Sequence, residues 1–320
     1  MMLAYNKIAF YIGNIPVAWY ALCILSGVLL AVIMAVREAR KLGINPDIIY
    51  DGVLFILPAA ILGARLYFGL FDSFVNGSYY NWNILKILGF VFDDGKITGF
   101  RLEGLGIHGG IIVAFIGVII YCRVKKISVW QIVDLVAPGF LIGQICGRWG
   151  NFMNQEVYGG IVENLNWLPK FISDQMFIDG HYRQPLFLYE GLWNLAALIA
   201  ILIIRRFRVL KVGDILCVYL IWYGIGRAWM EPLRDQVFIL QSNISNMQSV
   251  LTSIGLIVVG VGLLVYKYIW RKDLPYYVDT LVSEEEYVEN KTILKIKNFF
   301  KEKFGKQKKE EEKDDQDDSL

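Results

Sequence analysis

Seven stretches of this chain are apolar over a length that suits a lipid bilayer. They lie at about residues 17–36, 52–71, 105–122, 129–146, 186–204, 213–230 and 250–269, each close to the roughly 18–20 residues that a helix needs to cross the hydrocarbon core. Pro58 and several glycines interrupt the runs. Transmembrane helices tolerate such residues because neighbouring helices re-satisfy the backbone. The pattern predicts an all-α, polytopic membrane protein of seven transmembrane helices, joined on one face by irregular loops. No internal repeat is visible, so the paired half-helices of many secondary transporters find no support.

Charge gives the runs a direction. Arg37, Arg40 and Lys41 follow the first run, and Arg123, Lys125 and Lys126 follow the third. Arg205, Arg206, Arg208 and Lys211 follow the fifth, and Arg271 and Lys272 follow the seventh. Short basic connections mark the cytoplasmic side. The other connections, at about 72–104, 147–185 and 231–249, are longer and less basic. The amino terminus is therefore expected outside and the carboxyl terminus inside. Only Lys7 precedes the first run, which favours an uncleaved first helix over a removable signal.

Composition agrees with a membrane protein. The chain is 56% hydrophobic and 19% charged, with mean hydropathy +0.45, against about 45–50% and about 25% for soluble domains. The net charge of +2 averages an apolar body with a charged end. Two units are expected: residues 1–277 as the membrane domain, and 278–320 as a charged cytoplasmic tail, largely disordered. Lys291–Phe304 offers an alternative there, a basic amphipathic helix on the membrane surface. Cys23, Cys122, Cys146 and Cys217 lie in or beside apolar runs without a CxxC pair, as expected of small buried residues. No metal, cofactor or nucleic-acid partner is expected.

The predicted topology collects the unusual polar residues on one face. His108 opens the third run; Arg148, Asn151, Asn154 and Glu156 fall just beyond the fourth; Tyr189 and Glu190 begin the fifth. Arg227, Glu231 and Arg234 end the sixth, while Arg65 lies in the second and Tyr20 in the first. Topology puts all of them at the outer end. The plain reading of Arg65, Arg148 and Arg227 is as snorkelling anchors, or as ion pairs with Glu190, Glu156 and Glu231. The functional reading is an anion site at the outer boundary, where guanidinium forks match phosphate oxygens. Residue chemistry thus reaches a phospholipid headgroup site and stops short of a reaction.

The stretch GRWGNFMNQEVYG, from Gly147 to Gly159, resembles the signature of the bacterial prolipoprotein diacylglyceryl transferases. Other segments fit that family in order: Trp19-Tyr20, Gly63-Ala64-Arg65-Leu66, His108-Gly109-Gly110, Gln184-Pro185-Leu186-Phe187-Leu188-Tyr189-Glu190, and Tyr223-Gly224-Ile225-Gly226-Arg227 with Glu231 and Arg234. The resemblance covers about residues 15–270. The chain departs from the family where Gln184 replaces a frequent histidine, and where Asp235-Gln236 replaces a Thr-Asp pair.

The resemblance implies transfer of the diacylglyceryl group of phosphatidylglycerol to the thiol of a lipobox cysteine in a prolipoprotein signal peptide. A thioether forms and glycerol phosphate leaves, at the bacterial plasma membrane with the site facing the outer leaflet. It implies catalytic work for Arg148 and Arg227, with His108 the first candidate for the base and Glu156 or Glu231 as substitutes. It implies substrate binding by Tyr20, Arg65, Asn151, Asn154, Gly159, Tyr189, Glu190, Tyr223 and Arg234. The alternative is a non-catalytic outer-leaflet phospholipid binder or transporter built on the same anion site.

Overall fold

The computed structural model describes residues 6–75, 83–93, 95–100, 106–235 and 243–283. The predicted charged tail beyond Ser283, the candidate amphipathic helix and Gln236 lie outside the described residues. All seven apolar runs fold as helices: α1 (Trp19–Lys41), α2 (Asp47–Val75), α4 (Ile107–Lys125), α5 (Val129–Asn154), α7 (Leu186–Ile204), α8 (Asp214–Met230) and α9 (Asn243–Trp270). Two short helices, α3 (Ile84–Leu88) and α6 (Lys170–Gln175), sit in the connections. Six helices, all but α8 of the long ones, are long and apolar enough to cross a membrane. Helix α8 has 17 residues, at the lower edge of the roughly 17–25 that spanning requires.

The expectation of an all-α chain needs one correction. Small antiparallel sheets lie before the first helix, β1 (Ile8–Ile12) with β2 (Ile15–Ala18), and in the longer connections, β3 (Phe90–Asp93) with β4 (Lys96–Phe100) and a three-stranded sheet. In the last, β7 (His181–Arg183) lies between β5 (Ile161–Val162) and β6 (Phe177–Ile178). Strands of two to five residues carry too little alternation to be read from sequence.

Helix pairs organise the body. Helix α1 packs along α5, α2 along α4, α5 along α7, and α8 along α9. The α2–α4 pair approaches closely through Gly63 and Gly109: a Cβ on Gly109 would lie 2.4 Å from the Gly63 carbonyl oxygen and 2.2 Å from Tyr67 Cβ. Small residues at such crossings let backbones meet where no hydrophobic drive separates helix from lipid. Large apolar side chains such as Leu25, Phe55 and Leu251 are exposed on the outer surface of the bundle, as a bilayer-facing surface requires.

Short connections at 42–46, 126–128 and 205–213 bring the basic residues to one end of the bundle. There Glu38, 3% exposed, holds Arg205 at 3.1 Å and Arg206 at 2.6 Å, and accepts from the Tyr277 hydroxyl at 2.9 Å. Asp134 accepts from the Gly213 N–H and, at 3.0 Å, from that of Leu216, tying α5 to the start of α8. Lys267 pairs with Asp214 at 2.5 Å, tying α9 to α8. At the opposite end, Phe152, Leu165, Met176, Ile178 and Phe187 form a second apolar cluster. It seats the 155–185 connection over the ends of α5 and α7.

Candidate functional site

The signature stretch is more helical than the apolar run suggests. Helix α5 continues to Asn154, so Arg148, Asn151 and Asn154 occupy its last two turns rather than a loop beyond it. The helix stops at Gln155, with φ of 55°, and Val157 follows at 57°. A β-branched residue in this left-handed region is strained. The turn survives because Gln175, 1% exposed, donates to the carbonyls of Phe152 and Met153 at 3.3 and 3.2 Å, while Gln155 donates to the Gln175 carbonyl at 2.8 Å.

Five of the predicted residues form one chain of ion pairs. Arg148 meets Glu190 at 2.5 Å, and Glu190 faces Arg234 at 3.7 Å. Arg234 reaches Glu231 at 3.4 Å, and Glu231 holds Arg227 at 2.6 Å. Arg148 thus pairs with Glu190, not with Glu156 as the sequence spacing suggested; the reach across from α5 to α7 supersedes the local neighbour. Glu156 is exposed and accepts from Asn154 at 3.4 Å. Three guanidiniums share two carboxylates, which leaves the network a net cation. Burial, and then the neighbouring Arg227, pull the Arg234 guanidinium below the ordinary arginine range.

Loops braid beneath Arg234. Gly159 bridges to Arg234, the Gly159 N–H donates to the Gln184 carbonyl at 3.0 Å, and the Asp235 N–H donates to the Tyr158 carbonyl at 3.1 Å. A Cβ on Gly159 would lie 2.7 Å from Gln184 Cβ and 2.8 Å from the Leu233 oxygen. Only glycine permits that closeness. The sequence reading gave Arg183 no role and Asp235 none beyond its departure from the family pattern, yet they pair at 2.5 Å, and Arg183 also covers the Tyr158 ring. No local spacing signals a contact between segments so distant in the chain.

A cavity of about 700 Å³ opens beside the network. Tyr20, Arg148, Asn151, Glu190 and Tyr223 stand at its polar end, and it runs between α1, α2, α4 and α5 down to Tyr121 and Ile132. Tyr20 packs its ring over Gly150, and Tyr223 stacks on Tyr219 with centroids 5.9 Å apart. Tyr189, half-buried, is not among the lining residues. Arg65 and His108 sit on the α2–α4 pair and are likewise not among the lining residues: Arg65, 3% exposed, donates to the Lys86 carbonyl at 3.3 Å, and His108 lies against Tyr67.

Bilayer-length helices around an apolar cavity whose polar end holds Arg148, ion-paired through Glu190 and Arg234 to Glu231 and Arg227, define a membrane protein suited to an anionic amphiphile. The chain belongs to the prolipoprotein diacylglyceryl transferase family, whose model matches residues 7–266. It is similar to the phosphatidylglycerol–prolipoprotein diacylglyceryl transferases of Streptococcus pneumoniae strains JJA and Hungary19A-6. Each is 42% identical over 283 residues, covering 88% of this chain and 99% of the relative.

Proposed function

We propose that this transferase moves the diacylglyceryl group of phosphatidylglycerol to the cysteine thiol of a lipobox peptide. The observation that carries the reading is the Arg148–Glu190–Arg234–Glu231–Arg227 network at the polar end of the cavity. The acyl chains occupy the apolar part and the phosphate meets the arginines.

The thiolate sulfur attacks the glycerol carbon next to the phosphate. A C–S bond forms, the C–O bond breaks, and glycerol phosphate leaves with the electron pair. Negative charge grows on the departing phosphate, so Arg148 and Arg227 bind the transition state more strongly than the ground state. Glu190 and Glu231 hold those guanidiniums in place, which removes the cost of reorienting them during reaction. Arg234, fixed to both carboxylates, completes the cationic set. The free thiol, with pKa about 8.5, is only a few per cent ionised near neutrality, so a base raises the rate. His108 takes that role. Glu231 is committed to two arginines and Glu156 faces solvent, so both rank below it. Tyr20, Asn151 and Tyr223 orient the headgroup, Asn154 steadies the exposed rim, and Tyr189 and Arg65 contact lipid or peptide from the flanks.

All seven long helices cross the bilayer, α8 included, since its neighbours α5, α7 and α9 surround it. The amino terminus is outside, the basic end is cytoplasmic, and the site faces the outer leaflet of the bacterial plasma membrane. The residues after 277 serve on the cytoplasmic side.

The test incubates purified protein with phosphatidylglycerol and a lipobox peptide. Lipidated peptide and glycerol phosphate are expected in equal amounts, both lost when the peptide cysteine is replaced by serine. Lipid bound by folded protein with neither product would refute the transferase reading.

A further inference from the structure

The charged rung at the cavity's polar end has an uncharged counterpart one turn deeper. Gln144 precedes Arg148 by four residues on α5, and Asn194 follows Glu190 by four on α7. The two helices run in opposite directions through the bundle, with Arg148 and Glu190 in contact at one end. Both steps of four therefore lead away from the arginines, by about 6 Å at 1.5 Å per residue. Gln144 and Asn194 both line the cavity.

Their hydrogen bonding is incomplete. Gln144 Nε2 donates to the Tyr219 hydroxyl at 2.9 Å, while its Oε1 is buried with no hydrogen-bond partner among the described residues. Asn194 is 3% exposed and takes part in none of the side-chain hydrogen bonds of the described residues. Amides left in this state at membrane depth are costly. Acyl chains ask only for apolar walls, so a pocket for hydrocarbon alone gains nothing from two amides.

We propose that Gln144 and Asn194 form a subsite for the ester carbonyls of a diacyl glycerophospholipid. The inference rests on reading the cavity as the diacylglyceryl pocket. In such a lipid the ester groups follow the phosphate by a few bonds, about the depth of one helical turn. Ester carbonyls only accept, and amide N–H groups donate. The Tyr219 hydroxyl can both donate and accept. With lipid bound, the Gln144 amide turns over, takes its bond from Tyr219 through Oε1, and offers its N–H groups to the ester. That exchange satisfies the orphaned oxygen. Both residues position the glycerol backbone against the arginines and select ester-linked over ether-linked donors.

The experiment compares diester phosphatidylglycerol with a diether analogue of the same headgroup and chain length, using the full chain and a lipobox peptide. The wild type is expected to show a KM about tenfold higher for the diether, the scale of one or two lost hydrogen bonds. Gln144→Leu and Asn194→Leu should each raise KM for the diester by up to about tenfold while KM for the diether stays within about twofold, and so narrow or erase the preference. Tyr219→Phe, which removes one oxygen, serves as a milder variant; it should raise the diester KM alone. Equal use of both donors by the wild type, or equal losses on both donors in the variants, would overturn the subsite while leaving the transferase reading intact. A folded wild type that transfers from neither donor would overturn that reading and the subsite with it.

Discussion

Arg148 and Glu190 face each other at 2.5 Å from two different helices, and each also belongs to the cavity wall. The carboxylate is 4% exposed and shared with Arg234, so it fixes two cations at once. In the proposed mechanism, replacing Arg148 by alanine removes a donor aimed at developing charge, and kcat should fall by about 10²–10³, or roughly 2.7–4 kcal/mol. Arg148→Lys should recover little, because an ammonium lacks the guanidinium fork. Glu190→Gln should lower kcat more than it raises KM, since the arginines remain but lose their fixed orientation. Turnover of Arg148→Ala within threefold of wild type, in protein shown to be inserted, would refute the assignment.

Gly159 acts at one remove. Its missing side chain lets the Tyr158–Gly160 segment lie against Gln184 and Leu233, and Leu233 adjoins Arg234. Gly159→Ala should displace Arg234 and cut kcat by about tenfold or more, as small misplacements of catalytic groups do. Stability should fall by only about 1–3 kcal/mol. Parallel measurement of turnover and thermal unfolding separates the two effects; equal activity at reduced stability would limit Gly159 to packing.

The members of the ion-pair chain were legible in the sequence as a group because charge is conspicuous in an apolar chain, and the alternation of basic connections sorted them to one end. Their pairing was not legible. Arg148 has Glu156 eight positions away yet bonds Glu190, because α5 remains helical to Asn154 and presents Arg148 toward α7. Helix continuation past an apolar run depends on a buried cap, here Gln175 from the next connection. Arg183 with Asp235, and Gln144 with Asn194, escaped notice for the same reason: what joins them is the packing of α5, α7 and the loops. At the other end, the docked chain extends beyond residue 277, since Val282 donates to the Lys41 carbonyl at 2.7 Å.

Lys267 and Asp214 form a pair sealed from solvent at the basic end, 0% and 2% exposed. Lys267→Met leaves Asp214 buried without its cation and should destabilise the protein by about 3–5 kcal/mol. Asp214 also accepts from the Lys211 N–H at 2.8 Å and the Tyr268 hydroxyl at 3.0 Å. The double variant Asp214→Asn with Lys267→Met should therefore recover part of the loss, by removing the stranded charge while keeping a hydrogen-bonding side chain. Thermal unfolding in detergent reads both. Greater damage in the double variant than in Lys267→Met would contradict the account.

Tyr277 ties the segment after α9 to the bundle, and its worth can be divided. The side chain is fully buried, its hydroxyl donates to Glu38, and its backbone N–H donates to the Leu210 carbonyl at 2.7 Å. Burial, followed by the adjacent Glu38 carboxylate, holds the phenol well above its ordinary pKa, so it stays a neutral donor. Glu38 keeps Arg205 and Arg206 when the hydroxyl is lost. Tyr277→Phe should then cost only about 1–2 kcal/mol. Tyr277→Ala also empties a ring-sized volume and should cost about 3–5 kcal/mol. A chain ended after Ser283 keeps every one of these contacts and should be the more stable of two truncated forms, whereas one ended before Pro275 loses them all and should behave like Tyr277→Ala or worse. Equal stability of the two truncated chains would show that the segment does not hold α1, α7 and α8 together.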